Sequence, residues 1–388
     1  MGFMRRIYFG ADNIITSLGF TTAENAGNIR NGISGIKIIE DKSLFTGPVA
    51  YSAIETDKLE SHFINTLKQS FISEHEIRNF SRLEKIFIAS ISNTLEHSGV
   101  DPADPRTVMI FSTTKGNIDK IHNRQARILL WELAGSIAKL LNCYHVPVII
   151  SNACTSGSVA IIMAARLIAG GKFDHAIVTG GDIISEFVIS GFQSFQALSP
   201  ESCRPFDASR NGLSLGEGCG TVILTSDPSQ CVAGMPVMYL GGATTNDANH
   251  ISGPSRDGEG LYLAIAAAMK EADVVSGDLD YISAHGTATP YNDEMESLAL
   301  ARAGLEQVPV NSLKGYIGHT LGAAGLIETI LSIYSIRNEM LFKSAGYKNN
   351  GVSRPLNIIT RNIQQPVRRV MKTASGFGGC NATLIMGT

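Results

Sequence analysis

Cys154, His285 and His319 are the residues whose settings in this chain suit covalent chemistry. The stretch Val148-Ile149-Ile150-Ser151-Asn152-Ala153-Cys154-Thr155-Ser156-Gly157-Ser158 is a β-branched run that breaks at Ser151-Asn152. Small residues then lead into the apolar Val159-Ala160-Ile161-Ile162-Met163-Ala164-Ala165, a pattern that predicts a strand followed by a buried helix. A thiol at the start of such a helix meets backbone N–H groups and the positive end of the dipole, which favour the nucleophilic thiolate. Cys154 is therefore a candidate for covalent catalysis, although free Cys is also a common small core residue. His285 closes the strand-like Tyr281-Ile282-Ser283-Ala284, and His319 opens a second small-residue segment. Both are expected just past strand ends, where open α/β sheets place their sites.

The elements around these residues occur twice. Residues 154–162 lie over 319–327, each after a short extended run (148–150 and 308–310) and each opening a small-residue helix. The strand-like runs 107–112 and 280–284 each end in a Thr-rich turn, and Gly216-Glu217-Gly218-Cys219-Gly220 resembles Phe377-Gly378-Gly379-Cys380-Asn381. The chain is thus read as α/β, in two similar βα halves, 1–230 with the cysteine and 231–388 with both histidines. The boundary falls in the Asp, Pro, Ser and Gly cluster at 227–236. Alternating strands and helices imply βαβ units. The glycines in Gly322-Ala323-Ala324-Gly325 cost helix propensity, which a close helix–helix contact would offset. The two small-faced helices are accordingly expected side by side between two sheets, with Cys154 near His319.

Composition narrows the function classes. The 388 residues are 44% hydrophobic and 17% charged with net charge −3, an ordinary globular balance without the basic footprint of a nucleic-acid binder. Six scattered Cys contain no CxxC pair, so neither a zinc site nor a disulfide framework is suggested. Met1-Gly2-Phe3-Met4-Arg5-Arg6 lacks a signal-peptide core, and the longest apolar run, 159–168, is too short for a bilayer and contains Arg166. A cytoplasmic protein without membrane insertion is expected.

Several longer motifs resemble those of the β-ketoacyl-acyl carrier protein synthases, ketoacyl synthases of the thiolase superfamily. Arg204-Pro205-Phe206-Asp207 with Arg210-Asn211-Gly212 and Gly216-Glu217-Gly218 is similar to the family's RPFD…RxG…GEG segment. His285-Gly286-Thr287-Ala288-Thr289 with Asp293 is similar to HGTxTxxxD. The run from Lys314 to Gly325 is similar to KxxxGHxxGAAG, and Gly376-Phe377-Gly378-Gly379-Cys380-Asn381 to GFGGxN. The resemblance covers nearly the whole chain.

What it implies is a thiolase-like fold with layers α-β-α-β-α, a homodimer, and decarboxylative condensation of an acyl chain with malonyl-acyl carrier protein in fatty-acid, polyene or polyketide synthesis. Cys154 would carry the acyl group, and His285 and His319 would donate to the developing enolate oxygen. Lys314 belongs to the same catalytic network in the family, with Glu328 supporting it. Backbone N–H groups of Cys154 and Phe377 would form a second oxyanion hole, with Gly378 permitting the turn and Phe377 acting as gate. Thr287 and Thr289 would bind the phosphopantetheine arm and Asp293 would order their loop. No metal or other cofactor is implied, since the arm arrives on the carrier protein.

The amino-terminal third departs most from the family, and the chain is somewhat shorter than typical members. Trp131 with the helix-like stretch 125–141 is a candidate for the tunnel wall or equally for an ordinary core, and 250–260, rich in Gly, Ser and Pro, a candidate mobile loop. A basic carrier-docking patch is sought in Arg82, Lys85, Arg124, Arg127, Arg204 and Arg210. Two other readings stay open: a thiolase-type acyltransferase, with Cys380 near the position of a second cysteine, and a catalytically dead chain-length partner in a heterodimer. Retention of Cys154, His285 and His319 argues against the second.

Overall fold

The computed structural model describes residues 5–40, 47–67, 79–123, 127–231, 236–247, 249–250 and 253–388. Five strands of the first half lie in the order Val148–Ile150, Thr107–Ser112, His175–Asp182, Gly218–Thr225, Ile7–Thr16. Five strands of the second half repeat that order as Val310–Asn311, Tyr281–Ser283, Arg369–Gly376, Cys380–Gly387, Val237–Asn246. Within each half the first three strands run parallel and the last two antiparallel to their neighbours. The residue pairs matched in the sequence therefore occupy equivalent strands. Residues 232–235, inside the expected boundary, lie outside the described residues.

Separate sheets were expected, but the two halves join edge to edge. Ile7, Tyr8 and Phe9 pair antiparallel with Tyr239, Met238 and Val237, which makes one hydrogen-bonded sheet of ten strands. Register shifts between Phe9 and Asp12 and between Ile385 and Met386 bend the ladder, as bulges do.

The five layers follow from strand periodicity. Val108 and Ile110 face a central cluster, whereas Met109 and Phe111 face the outer helices Arg82–Glu96 and Leu130–Leu140. In the second half Val370 and Ala374 point to the same centre and Met371 to the outer helices Glu259–Ala272 and Pro290–Arg302. The central layer holds the helices Ser156–Ala169 and Ala324–Asn338, the latter buried almost all round, as a helix covered on every side must be.

Small residues let these two helices touch. A Cβ on Gly157 would stand 2.6 Å from Leu326 N, and one on Gly325 would stand 2.7 Å from Ser158 N. The side-by-side packing expected from the glycine spacing is present.

Candidate active site

In each half a residue of positive φ immediately precedes the candidate side chain. Cys154 follows the strand Val148–Ile150 by four residues, whereas His319, expected just past a strand end, follows the strand Val310–Asn311 only after the helical turn Lys314–Ile317. Ala153 (φ 47°) precedes Cys154 and Gly318 (φ 70°) precedes His319. A left-handed Ala is strained, and such strain recurs where a fold must aim a nucleophile. The helix behind Cys154 starts at Ser156, whereas His319 is followed by a short 3-10 turn, Leu321–Ala323, before its helix begins. His285 arrives separately, two residues beyond the strand Tyr281–Ser283.

The three converge. One ligand-type atom from each of Cys154, His285 and His319 lies within 4.8 Å of the others, and all three side chains are buried. The imidazole centroids are 5.2 Å apart with rings near perpendicular. The trio closes a cavity of about 330 Å³ that Thr287, Thr289 and Phe377 also line.

Burial governs the protonation states. It pushes the Cys154 thiol up to about 11, opposed more weakly by the positive charges of Lys314 and Lys115. The thiolate expected at this helix start is thus not the resting form, because desolvation outweighs the dipole and both lysines. Burial also holds His285 and His319 well below the ordinary imidazole range, and the ammonium groups of Lys314 and Lys372 push the same way. Both rings are neutral at pH 7. Lys314 Nζ faces His285 Nδ1 at 3.5 Å. An ammonium can only donate, so Nδ1 is the acceptor and the ring proton sits on Nε2.

Lys314 is fully buried, bonded to His285 O at 2.5 Å and to Glu328 Oε1 at 2.6 Å. The trio has the donor set of a zinc site, but buried ammonium groups beside it oppose a dication.

Asp293 orders the 286–289 loop. Its carboxylate accepts from Thr287 N, Ala288 N and Phe206 N, and burial raises it to about 6. Thr287 and Thr289 share a 2.9 Å hydroxyl contact at the cavity wall, and Thr289 caps the helix behind it. Phe377 is clasped by Phe192 (centroids 5.6 Å, stacked) and Phe195 (5.2 Å, edge-on). Gly378 has φ 85°, and a Cβ on Gly376 would stand 3.0 Å from Cys154 N. Glycine is required at the first by conformation and at the second by the approach of the Cys154 backbone.

Other expectations fail or move. Trp131 is 64% exposed and does not line the cavity. Its helix is Leu130–Leu140, and residues 124–126, including Arg124, lie outside the described residues. So do 251 and 252 of the loop candidate, although His250, Gly253 and Pro254 line the cavity. Among the described residues proposed for a basic patch, Arg82 pairs with Glu217, Lys85 with Glu60, Arg127 with Glu84, Arg204 with Glu201 and Arg210 with Asp293. Cys380 hydrogen-bonds Asn152 Oδ1 at 2.9 Å.

Reading the sequence missed four groups. Glu296 accepts from His285 N and Gly286 N, and Asp182 accepts from Thr113 Oγ1, Thr114 N and Gly322 N across the two halves. Phe195 braces Phe377, and Lys372 reaches Glu328. The lysine alone carried a signal, as a charge inside the apolar run Val370-Met371-Lys372-Thr373-Ala374.

Comparison with known proteins places this geometry. The family model described as beta-ketoacyl synthase, N-terminal domain, matches residues 11–229, and that for the C-terminal domain matches 238–348. The chain belongs to the β-ketoacyl synthase family. It is 28% identical to 3-oxoacyl-[acyl-carrier-protein] synthase 2 of Vibrio cholerae over 98% of each chain. It is 36% identical to the Rhizobium meliloti protein of the same name, over 60% of this chain and 59% of that one. Among solved structures, a ketosynthase in complex with its chain length factor from Xenorhabdus doucetiae is similar at 27% identity and TM-score 0.84, covering 100% of this chain and 99% of that one. The ishigamide ketosynthase/chain length factor, at 24% identity and TM-score 0.89 over 99% of both chains, shares the fold. The layered thiolase-like fold expected of the family is the fold observed.

Proposed function

We propose that this β-ketoacyl synthase condenses an acyl group carried on Cys154 with malonyl-acyl carrier protein. The convergence of Cys154, His285 and His319 at the end of one cavity carries the reading. In the first half-reaction Cys154 sulfur attacks the carrier thioester, the carbon–sulfur bond to the carrier breaks, and the thiol proton leaves with the carrier thiol. The buried thiol is nucleophilic only as it gives up that proton. In the second, the malonyl carboxylate departs as CO₂ and its bonding pair forms an enolate. That enolate attacks the acyl-Cys154 carbonyl, and Cys154 leaves and takes up one proton.

The neutral rings fit the enolate role. The protonated Nε2 of His285 can donate to the developing oxyanion, as can His319 in its Nε2-protonated tautomer, and a donor of this kind is worth about 10²–10³ in rate. Thr287 and Thr289 are placed for the phosphopantetheine arm, and Phe377, clasped by two aromatics, for gating between acyl and malonyl binding. The backbone N–H groups of Cys154 and Phe377, beside Gly378, serve the acyl-transfer oxyanion. Lys314 with Glu328 holds His285, and Asp293 holds the threonine loop. The mechanism calls for no metal or other cofactor.

The partners are a carrier protein and a second copy of the chain. Val148–Ile150 ends the sheet, with Tyr144, Val146 and, on the adjoining helix, Trp131 strongly exposed. An open sheet edge flanked by apolar side chains is a pairing surface. No helix of the described residues is long and apolar enough to cross a membrane, and we place the enzyme in the cytoplasm.

Intact-mass spectrometry after incubation with acyl-loaded carrier proteins of graded chain length tests the reading. A thioester adduct absent from Cys154→Ala supports it, and the preferred chain length separates housekeeping from specialised synthesis. Absence of any adduct overturns it in favour of a chain-length partner, the role named for one subunit of the Xenorhabdus complex.

A further inference from the structure

Lys372 is a buried lysine that the condensation scheme leaves unused. It lies on the strand Arg369–Gly376 and shares with Val370 and Ala374 the face turned to the central layer. Its Nζ donates to Thr373 O at 2.6 Å and to Ser283 O and Ala284 O at 3.2 Å. It also stands 2.6 Å from Glu328 Oε2, on the opposite side of that carboxylate from Lys314.

Three carbonyls take three N–H bonds and the carboxylate supplies the counter-charge. This cage fits an ammonium. A neutral amine would have only two N–H donors, and its lone pair would face an oxygen. Glu328 and the buried Glu296 supply the counter-charges, and Lys314 and Lys372 together put two ammonium groups behind the rings. Replacing a whole buried ion pair by apolar groups is often neutral or stabilising, so stability alone does not account for keeping the Lys372–Glu328 pair.

We propose that Lys372 is a positioning residue for the two histidines: it clamps Glu328 against Lys314, anchors the 283–284 backbone that presents His285, and places a second positive charge behind both rings. This rests on the condensation reading, but one part of it is measurable without turnover. The charged and titratable groups around the rings are Lys314 from its own turn, Glu328 from the central helix, Glu296 from the outer helix, and Cys154. Lys115 acts on His319 from farther away. Tyr281 is engaged with Ser332 on the central helix. Of these, the two lysines beside Glu328 oppose imidazolium at both rings.

Lys372→Met and Lys372→Gln test the proposal. The ring titrations of His285 and His319 are followed by NMR with isotope-labelled histidine, alongside Cys154 acylation and malonyl-carrier condensation. Both titrations should move to higher pH in both variants. Condensation at pH 7 should fall about tenfold, short of the ~10²-fold cost of a reacting group displaced by 1 Å. The acid limb of its pH profile should rise, with acylation changed less than about twofold. Unmoved ring titrations overturn the proposal, as does an equal loss of both half-reactions. Failure of both variants to fold assigns Lys372 to the core alone and overturns it too. If the wild-type protein does not condense at all, the function reading fails, while the ring titrations still decide the role of Lys372.

Discussion

Gly157→Ala probes whether the contact between the two central helices sets the distance between the catalytic residues. A Cβ there would stand 2.6 Å from Leu326 N, 3.0 Å from Gly322 O and 3.0 Å from Leu326 Cβ. The first two are backbone atoms that cannot rotate away. An unstrained contact needs about 3.5 Å, so the helices must part by roughly 0.9 Å. Gly157 follows Cys154 by three residues and Leu326 follows His319 by seven, so the parting reaches both side chains. Overpacking of this kind costs about 1–3 kcal/mol, against up to ~1 kcal/mol gained in helix propensity. A net loss of between about zero and ~3 kcal/mol in urea unfolding is expected. Condensation should fall about 10²-fold, the cost of a 1 Å misplacement. Gly27→Ala is the control, because its Cβ would meet nothing within 4 Å and only the propensity gain remains. Wild-type activity in Gly157→Ala would refute the reasoning, because the helices could then not be in the contact described.

Two further outcomes follow from the buried groups. The Cys154 thiol stands at about 11, above the ~8.5 of a free cysteine, so its alkylation by iodoacetamide should keep rising beyond pH 9. A plateau near pH 8.5 would show that the helix start, not burial, controls the thiol. Asp182→Asn places an NH₂ group among the N–H and O–H donors of Thr113, Thr114 and Gly322, and should cost about 1–3 kcal/mol in urea unfolding. A change below ~0.5 kcal/mol would remove Asp182 from the seam between the halves.

Much of the fold was legible because it is written twice. Equivalent strands, two small-residue helices and their order came from comparing one half of the chain with the other. The close helix pair followed from glycines whose absent side chains have one physical use there. Site residues were legible where a short motif carries both a turn and a reactive group, as around Cys154, His285 and His319. Positions outside such motifs were not. Glu296 is an ordinary helical glutamate in sequence, and the backbone N–H groups it receives come from residues ten and eleven positions earlier.

The sequence by itself determined which side chains are candidates for the chemistry, which backbone positions must be glycine, and the pseudo-repeat that relates the halves. These depend on local conformation and on residue type. Tertiary structure decided the charge states. The helix start argues for a Cys154 thiolate, yet burial outweighs it, and burial with two lysines keeps the histidines neutral. Tertiary structure also set the described residues of the expected basic patch in ion pairs with acids 3 to 135 residues away. Desolvation and Coulomb interaction depend on what surrounds a group in space, and that surrounding is assembled from segments that are distant in the chain.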